Sequence, residues 1–138
     1  MKRIFIICPV TMSNPEIKKE LEDYTKGLED MGNHVHLPHR NTNQKNGLLD
    51  ICLENIEAIK NAEEVHLFYM EKSKGIHFDI GVALSRHKPI KLIKDYSDVT
   101  SFGKNFLDLI SEWNNRETSN SENVWGGVEM SNWDEYEI

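Results

Sequence analysis

Ile4-Phe5-Ile6-Ile7-Cys8 is an unbroken run of β-branched and aromatic residues that stops at Pro9. Such a run suits a strand covered on both faces, and it falls far short of the roughly 18 apolar residues that cross a membrane. Shorter runs of the same kind follow: Val35 and Leu37 before Pro38, Val65-His66-Leu67-Phe68-Tyr69, and Pro89-Ile90-Lys91-Leu92-Ile93. Helical periods fill the gaps. Ser13-Asn14-Pro15-Glu16 has capping-box spacing, and Ile17, Leu21, Tyr24, Leu28 and Met31 form one stripe that ends at Gly32, a left-handed stop. Ile51, Ile56 and Ile59 predict a second helix. A third runs from Gly75 to Arg86 with Ile76, Ile80, Ala83 and Leu84 inward, and Phe102, Phe106, Leu109 and Ile110 predict a fourth. Strands separated by helices require parallel neighbours joined by right-handed crossovers. The expected fold class is therefore α/β, a small doubly wound parallel sheet of four to five strands with helices on both faces.

This alternation occupies residues 1–113 and leaves 114–138 as a separate tail. The 138 residues hold 23 Asp plus Glu against 16 Lys plus Arg, a net charge of −7. The tail alone has six acids (Glu117, Glu122, Glu129, Asp134, Glu135, Glu137) and one base, Arg116, so the first 113 residues are close to neutral. General nucleic-acid binding is not expected of that balance, although Arg40, Lys72 and Lys74 suit one small phosphate. No membrane span, secretory cleavage site or cysteine framework appears, and Cys8 and Cys52 sit in apolar stretches, so a cytoplasmic protein is expected.

In sheets of this kind ligands bind beyond the carboxyl ends of the strands, where the strand order reverses. Three loops should meet there: Cys8, Pro9, Val10, Thr11 and Met12 after the first strand, the polar stretch from Arg40 to Gly47 with Gln44 after the second, and Met70 to Gly75 after the third. Ser73-Lys74-Gly75 opens a helix, where free amides favour an anion; taken alone, these residues read first as a serine that merely caps the helix. Asp79, about one turn further on between Phe78 and Ile80, is either a helix-surface carboxylate favoured by the dipole or a nucleophile facing the crevice, with His77 as a neighbour. His34, His36 and His39 alternate along a strand end but have no carboxylate or cysteine at a ligand spacing, so neither a metal site nor a cofactor is expected. Cys8 has no catalytic partner in the sequence and reads as a buried thiol.

Ile4-Phe5-Ile6-Ile7-Cys8-Pro9-Val10, Val35 to Gln44, and above all Ser73-Lys74-Gly75-Ile76-His77-Phe78-Asp79-Ile80-Gly81-Val82-Ala83 together resemble the nucleoside 2-deoxyribosyltransferase family, which includes deoxynucleoside monophosphate N-glycosidases. The resemblance covers about residues 3–113, and its third segment is the specific one. It implies a flavodoxin-like sheet and attack of a carboxylate on the anomeric carbon of a nucleotide or nucleoside, with a glycosyl-enzyme resolved by water or a second base. By the same resemblance Asp79 stands at the nucleophile's position, Ser73 at the 5′-phosphate, Gln44 at the base, and Cys8, Pro9 and Val10 beside the sugar, while Gly75, Gly81 and Ala83 are backbone and packing positions. Two residues depart from the pattern: Asp79 replaces a glutamate, and Asn55 replaces an aspartate that assists proton transfer, a role an amide cannot fill. Glu54 and His77 are the neighbours that could substitute. The expected function is an N-glycosidic hydrolase or deoxyribosyltransferase with Asp79, Asn55 and His77 as catalytic residues; the alternative is a nucleotide-binding module without turnover. The resemblance also implies a homodimer or larger homo-oligomer. Trp125 and Trp133 fit a tail packed across that interface, and the acidic composition fits equally a disordered one.

Overall fold

The computed structural model describes residues 1–10, 14–96 and 101–119. Four strands, β1 (Arg3–Ile7), β2 (His34–His36), β3 (Glu64–Tyr69) and β4 (Ile90–Asp95), form one parallel sheet in the order β2-β1-β3-β4. The helices between them are α1 (Pro15–Asp30), α2 (Pro38–Asn41), α3 (Leu48–Asn61) and α4 (Lys74–Ser85), with α5 (Ser101–Ser119) after the last strand. This is the expected α/β class, and the order reverses between β1 and β3.

The alternation of side chains along β1 explains why its apolar run is continuous. Phe5 and Ile7 face one layer with Ile59 of α3, Ile76, Ile80 and Ala83 of α4, and Ile110 and Trp113 of α5. Ile4, Ile6 and Cys8 face the other with Leu21 of α1, Val35, Leu37 and Phe68. The two edge strands depart from two-sided burial: His34 is exposed on β2, and Lys91, Leu92 and Lys94 are exposed on β4.

Local chemistry moves several boundaries. Asn14, not Ser13, caps α1, its Oδ1 accepting from the Glu16 and Ile17 amides; Ser13 lies outside the described residues. Gly32 takes φ +93 after α1 as expected, but Met31 is exposed rather than part of the buried stripe. The segment after β2 is not wholly a loop. Pro38 fits the first turn of a helix, and Asn41 Oδ1 accepts from the Leu37 amide at 2.8 Å, which closes the short α2. Residue 113 does not end the fold either, because α5 continues to Ser119. Its Trp113 Nε1 donates to the Lys88 carbonyl at 2.9 Å, and its Asn114 side chain both accepts from the Ile90 amide and donates to the Ile90 carbonyl. Trp125 and Trp133 lie outside the described residues.

Candidate active site

Parallel topology brings the ends of β1 and β3 side by side and aims the start of α4 across them. Ser73 caps α4, its Oγ accepting from the Ile76 amide at 3.3 Å. The hydroxyl proton therefore stays available as a donor to an incoming oxygen. A Cβ built on Gly75 would meet nothing within 4 Å, so the helix entrance is open. Gly81 is equally uncrowded and exposed, which corrects its reading as a packing glycine, whereas Ala83 is fully buried as expected.

Asp79 lies five residues into α4, about 7 Å along the axis, and is only 7 % exposed. Its carboxylate takes no hydrogen bond and no ion pair among the described residues. Desolvation therefore goes uncompensated and raises its pKa to about 7. Cys8, buried just past β1, feels that charge: burial first and Asp79 second push its thiol far up, so it is a packing residue and a poor nucleophile. Pro9 is buried beside it and Val10 is half-buried, while Thr11 and Met12 fall outside the described residues. Cys8 and Asp79 are thus brought together at the switch point.

His77 points elsewhere. Two residues along a helix face different ways, and His77 is held by Tyr69 Oη at 2.8 Å on Nε2 and by the Ser73 carbonyl at 2.7 Å on Nδ1, within a ring cluster of Tyr69, Phe102 and Phe106. The carbonyl can only accept, so Nδ1 carries the proton and Nε2 accepts from tyrosine. That geometry makes His77 a brace between α4 and α5.

Asn55 is buried on α3, which packs beside α4, and Thr42 Oγ1 donates to its Oδ1 at 2.7 Å. His36 Nε2 lies 2.8 Å from the same Thr42 oxygen. Glu54 pins the loop from outside, accepting from the Asn43 amide at 3.0 Å and Asn46 Nδ2 at 3.2 Å, so its carboxylate is committed. Gln44 folds back on its own loop, Nε2 donating to the Pro38 carbonyl at 3.0 Å. Arg40 is taken up at the sheet edge: both guanidinium amines reach Glu29, at 2.9 and 3.1 Å, and one also donates to the Val35 carbonyl. It borders a groove of about 410 Å³ along β2 that also touches Arg3, His34, His36 and Asn61 but not Asp79. Arg40 thus lines a groove on the β2 side, while Asp79 and Ser73 sit at α4, which follows β3.

The sequence offers no signal for Thr42, one hydroxyl in a polar loop, or for Tyr96 after β4. The Tyr96 hydroxyl is buried, and burial first, then the Glu20 carboxylate beside it and Cys8, raise its pKa. No group of three or more His, Cys, Asp or Glu side chains able to hold a metal occurs among the described residues. No described helix is long and apolar enough to cross a membrane.

No protein-family model matches the chain, and no curated protein matches it. Twelve chains among the solved structures do, and two of them show the likeness. The CMP N-glycosidase of Clostridium botulinum is 25 % identical with a TM-score of 0.55, over 79 % of this chain and 82 % of that one. The 2-deoxyribosyltransferase of Bacillus psychrosaccharolyticus is 18 % identical with a TM-score of 0.59, over 74 % of this chain and 80 % of that one.

Proposed function

We propose that this chain, a divergent member of the nucleoside 2-deoxyribosyltransferase family, cleaves the N-glycosidic bond of a nucleotide, with Asp79 as the nucleophile. The observation that carries the reading is the buried carboxylate itself: unpaired, at the strand-order reversal, with its pKa lifted to about 7. A structural carboxylate at 7 % exposure would be expected to have a partner; one kept for an electrophile would not. Ionised, Asp79 attacks the anomeric carbon. The carbon–nitrogen bond breaks with its electrons on the base, which takes a proton from solvent, and a glycosyl ester forms. Water then hydrolyses the ester, releasing the sugar phosphate and restoring the carboxylate. The free Ser73 hydroxyl at the start of α4 and the open entrance at Gly75 support binding of the 5′-phosphate.

Incubation with CMP, dCMP and the other nucleoside monophosphates, followed by chromatography for free base, is the test. Release should vanish in Asp79→Asn, and release that survives that change overturns the nucleophile assignment. A second reading, binding without turnover, is favoured by Asn55, which cannot protonate a leaving base. Calorimetric binding of CMP with no base released over a day would establish it. Assembly as a homo-oligomer is part of the proposal, supported by the exposed Leu48, Leu49 and Leu53 on α3.

A further inference from the structure

We propose that Thr42 and His36 lock the Asn55 amide so that it offers its N–H groups, and not its carbonyl, to the bound molecule, which selects a hydrogen-bond acceptor at that point of the ligand. Threonine has one hydroxyl proton to give. The 2.7 Å separation between Thr42 Oγ1 and Asn55 Oδ1 is the usual length of an O–H···O bond and shorter than the usual N–H···O bond. With its proton spent on Asn55, the Thr42 oxygen accepts, and the group 2.8 Å away that must donate is His36 Nε2–H. His36 is fixed for this: its ring stacks on Phe5, centroids 5.2 Å apart and planes 14° apart. Burial, aided by Arg40 and opposed by Glu54, lowers its pKa, so the neutral ring carries a single proton, on Nε2.

Thr42 and Asn55 are both buried, and reversing the amide would set an N–H group against a hydroxyl whose proton then has to turn toward His36. The chain His36 to Thr42 to Asn55 therefore runs in one direction and ends at an amide whose Nδ2 has no partner among the described residues. Glu54 clamps the loop carrying Thr42 onto the helix carrying Asn55, which holds the three groups in register. Thr42 and His36 are positioning residues and need not touch the ligand. The acceptor half of the inference rests on the nucleotide reading above, while the lock itself does not.

Long-range proton–nitrogen spectra of the ¹⁵N-labelled full chain decide the lock without any ligand. The expected result is the Nε2–H tautomer at His36. An Nδ1–H tautomer at neutral pH reverses the donors and overturns the proposal. For the acceptor half, calorimetry with CMP is expected to show affinity lowered about tenfold in Thr42→Val and restored to within about twofold in Thr42→Ser. In Asn55→Asp the end away from Thr42 becomes an acceptor, and a loss of at least about tenfold is expected. Wild-type affinity in Asn55→Asp overturns the acceptor assignment. Absence of CMP binding and base release in the wild type overturns the substrate reading and the acceptor half with it, and the tautomer still decides the lock.

Discussion

Removing the charge of Asp79 should stabilise the protein in a pH-dependent way while abolishing turnover. Burial raises this carboxyl from 3.8 to about 7. Between those values the folded chain holds a proton that the unfolded chain has released, so the group's contribution to stability is full below pH 3.8 and is lost as pH rises through 7. At about 1.36 kcal/mol per pH unit the whole loss is on the order of 4 kcal/mol, of which about 2–3 kcal/mol falls between pH 5 and pH 8. Asp79→Asn keeps the shape and removes the titration. Urea unfolding of both proteins at pH 5, 6, 7 and 8 is the assay. The wild type should lose about 2–3 kcal/mol more than the variant across that range, a midpoint shift on the order of 1–2 M. Because the variant retains every other titrating group, the difference between the two curves isolates Asp79. Curves that stay parallel to within about 0.5 kcal/mol would refute the reasoning, since the carboxylate would then be solvated or paired in the folded state. Stability given up at a reactive group is the usual trade for activity.

Four further outcomes are expected. The kcat/KM for base release from CMP should rise about tenfold per pH unit below 7 and level off above it, as an ionised nucleophile requires; a decline above 7 would make Asp79 a proton donor instead. Ser73→Ala should cost about 1 kcal/mol of stability through the lost cap and should raise KM for a nucleoside monophosphate more than for the nucleoside, and equal changes for both would remove the phosphate role. Gly32→Ala forces a side chain to φ +93 and should cost about 1–2 kcal/mol in thermal unfolding, with base release unaffected. Leu49→Lys with Leu53→Lys charges the exposed face of α3 and should shift sedimentation toward monomer; an unchanged assembly would place the interface elsewhere.

Local sequence pattern is enough to dictate the layered fold. Phe5, Ile7 and their alternates must be buried on both faces, and Gly32 must break a helix, because periodicity and local backbone sterics act within a few residues. Nearness of Cys8 to Asp79 was legible in outline for the same reason: once the strands are parallel, the ends of β1 and β3 meet. Direction and pairing were not. Whether His77 or Asp79 is turned toward Tyr69 depends on the rotation of α4 about its own axis, which the packing of Phe102 and Phe106 from α5 sets. Whether Arg40 waits for a phosphate depends on Glu29, which arrives at the end of α1 through the crossover. Asn55 illustrates the limit most clearly. Its identity is written in the chain, but the way its amide faces is fixed by Thr42 and His36, held against it by a loop closure that no local preference encodes. Hydrogen bonds between residues far apart in sequence form only after the apolar layers have assembled around them, and those bonds are what turn a list of candidate residues into a site.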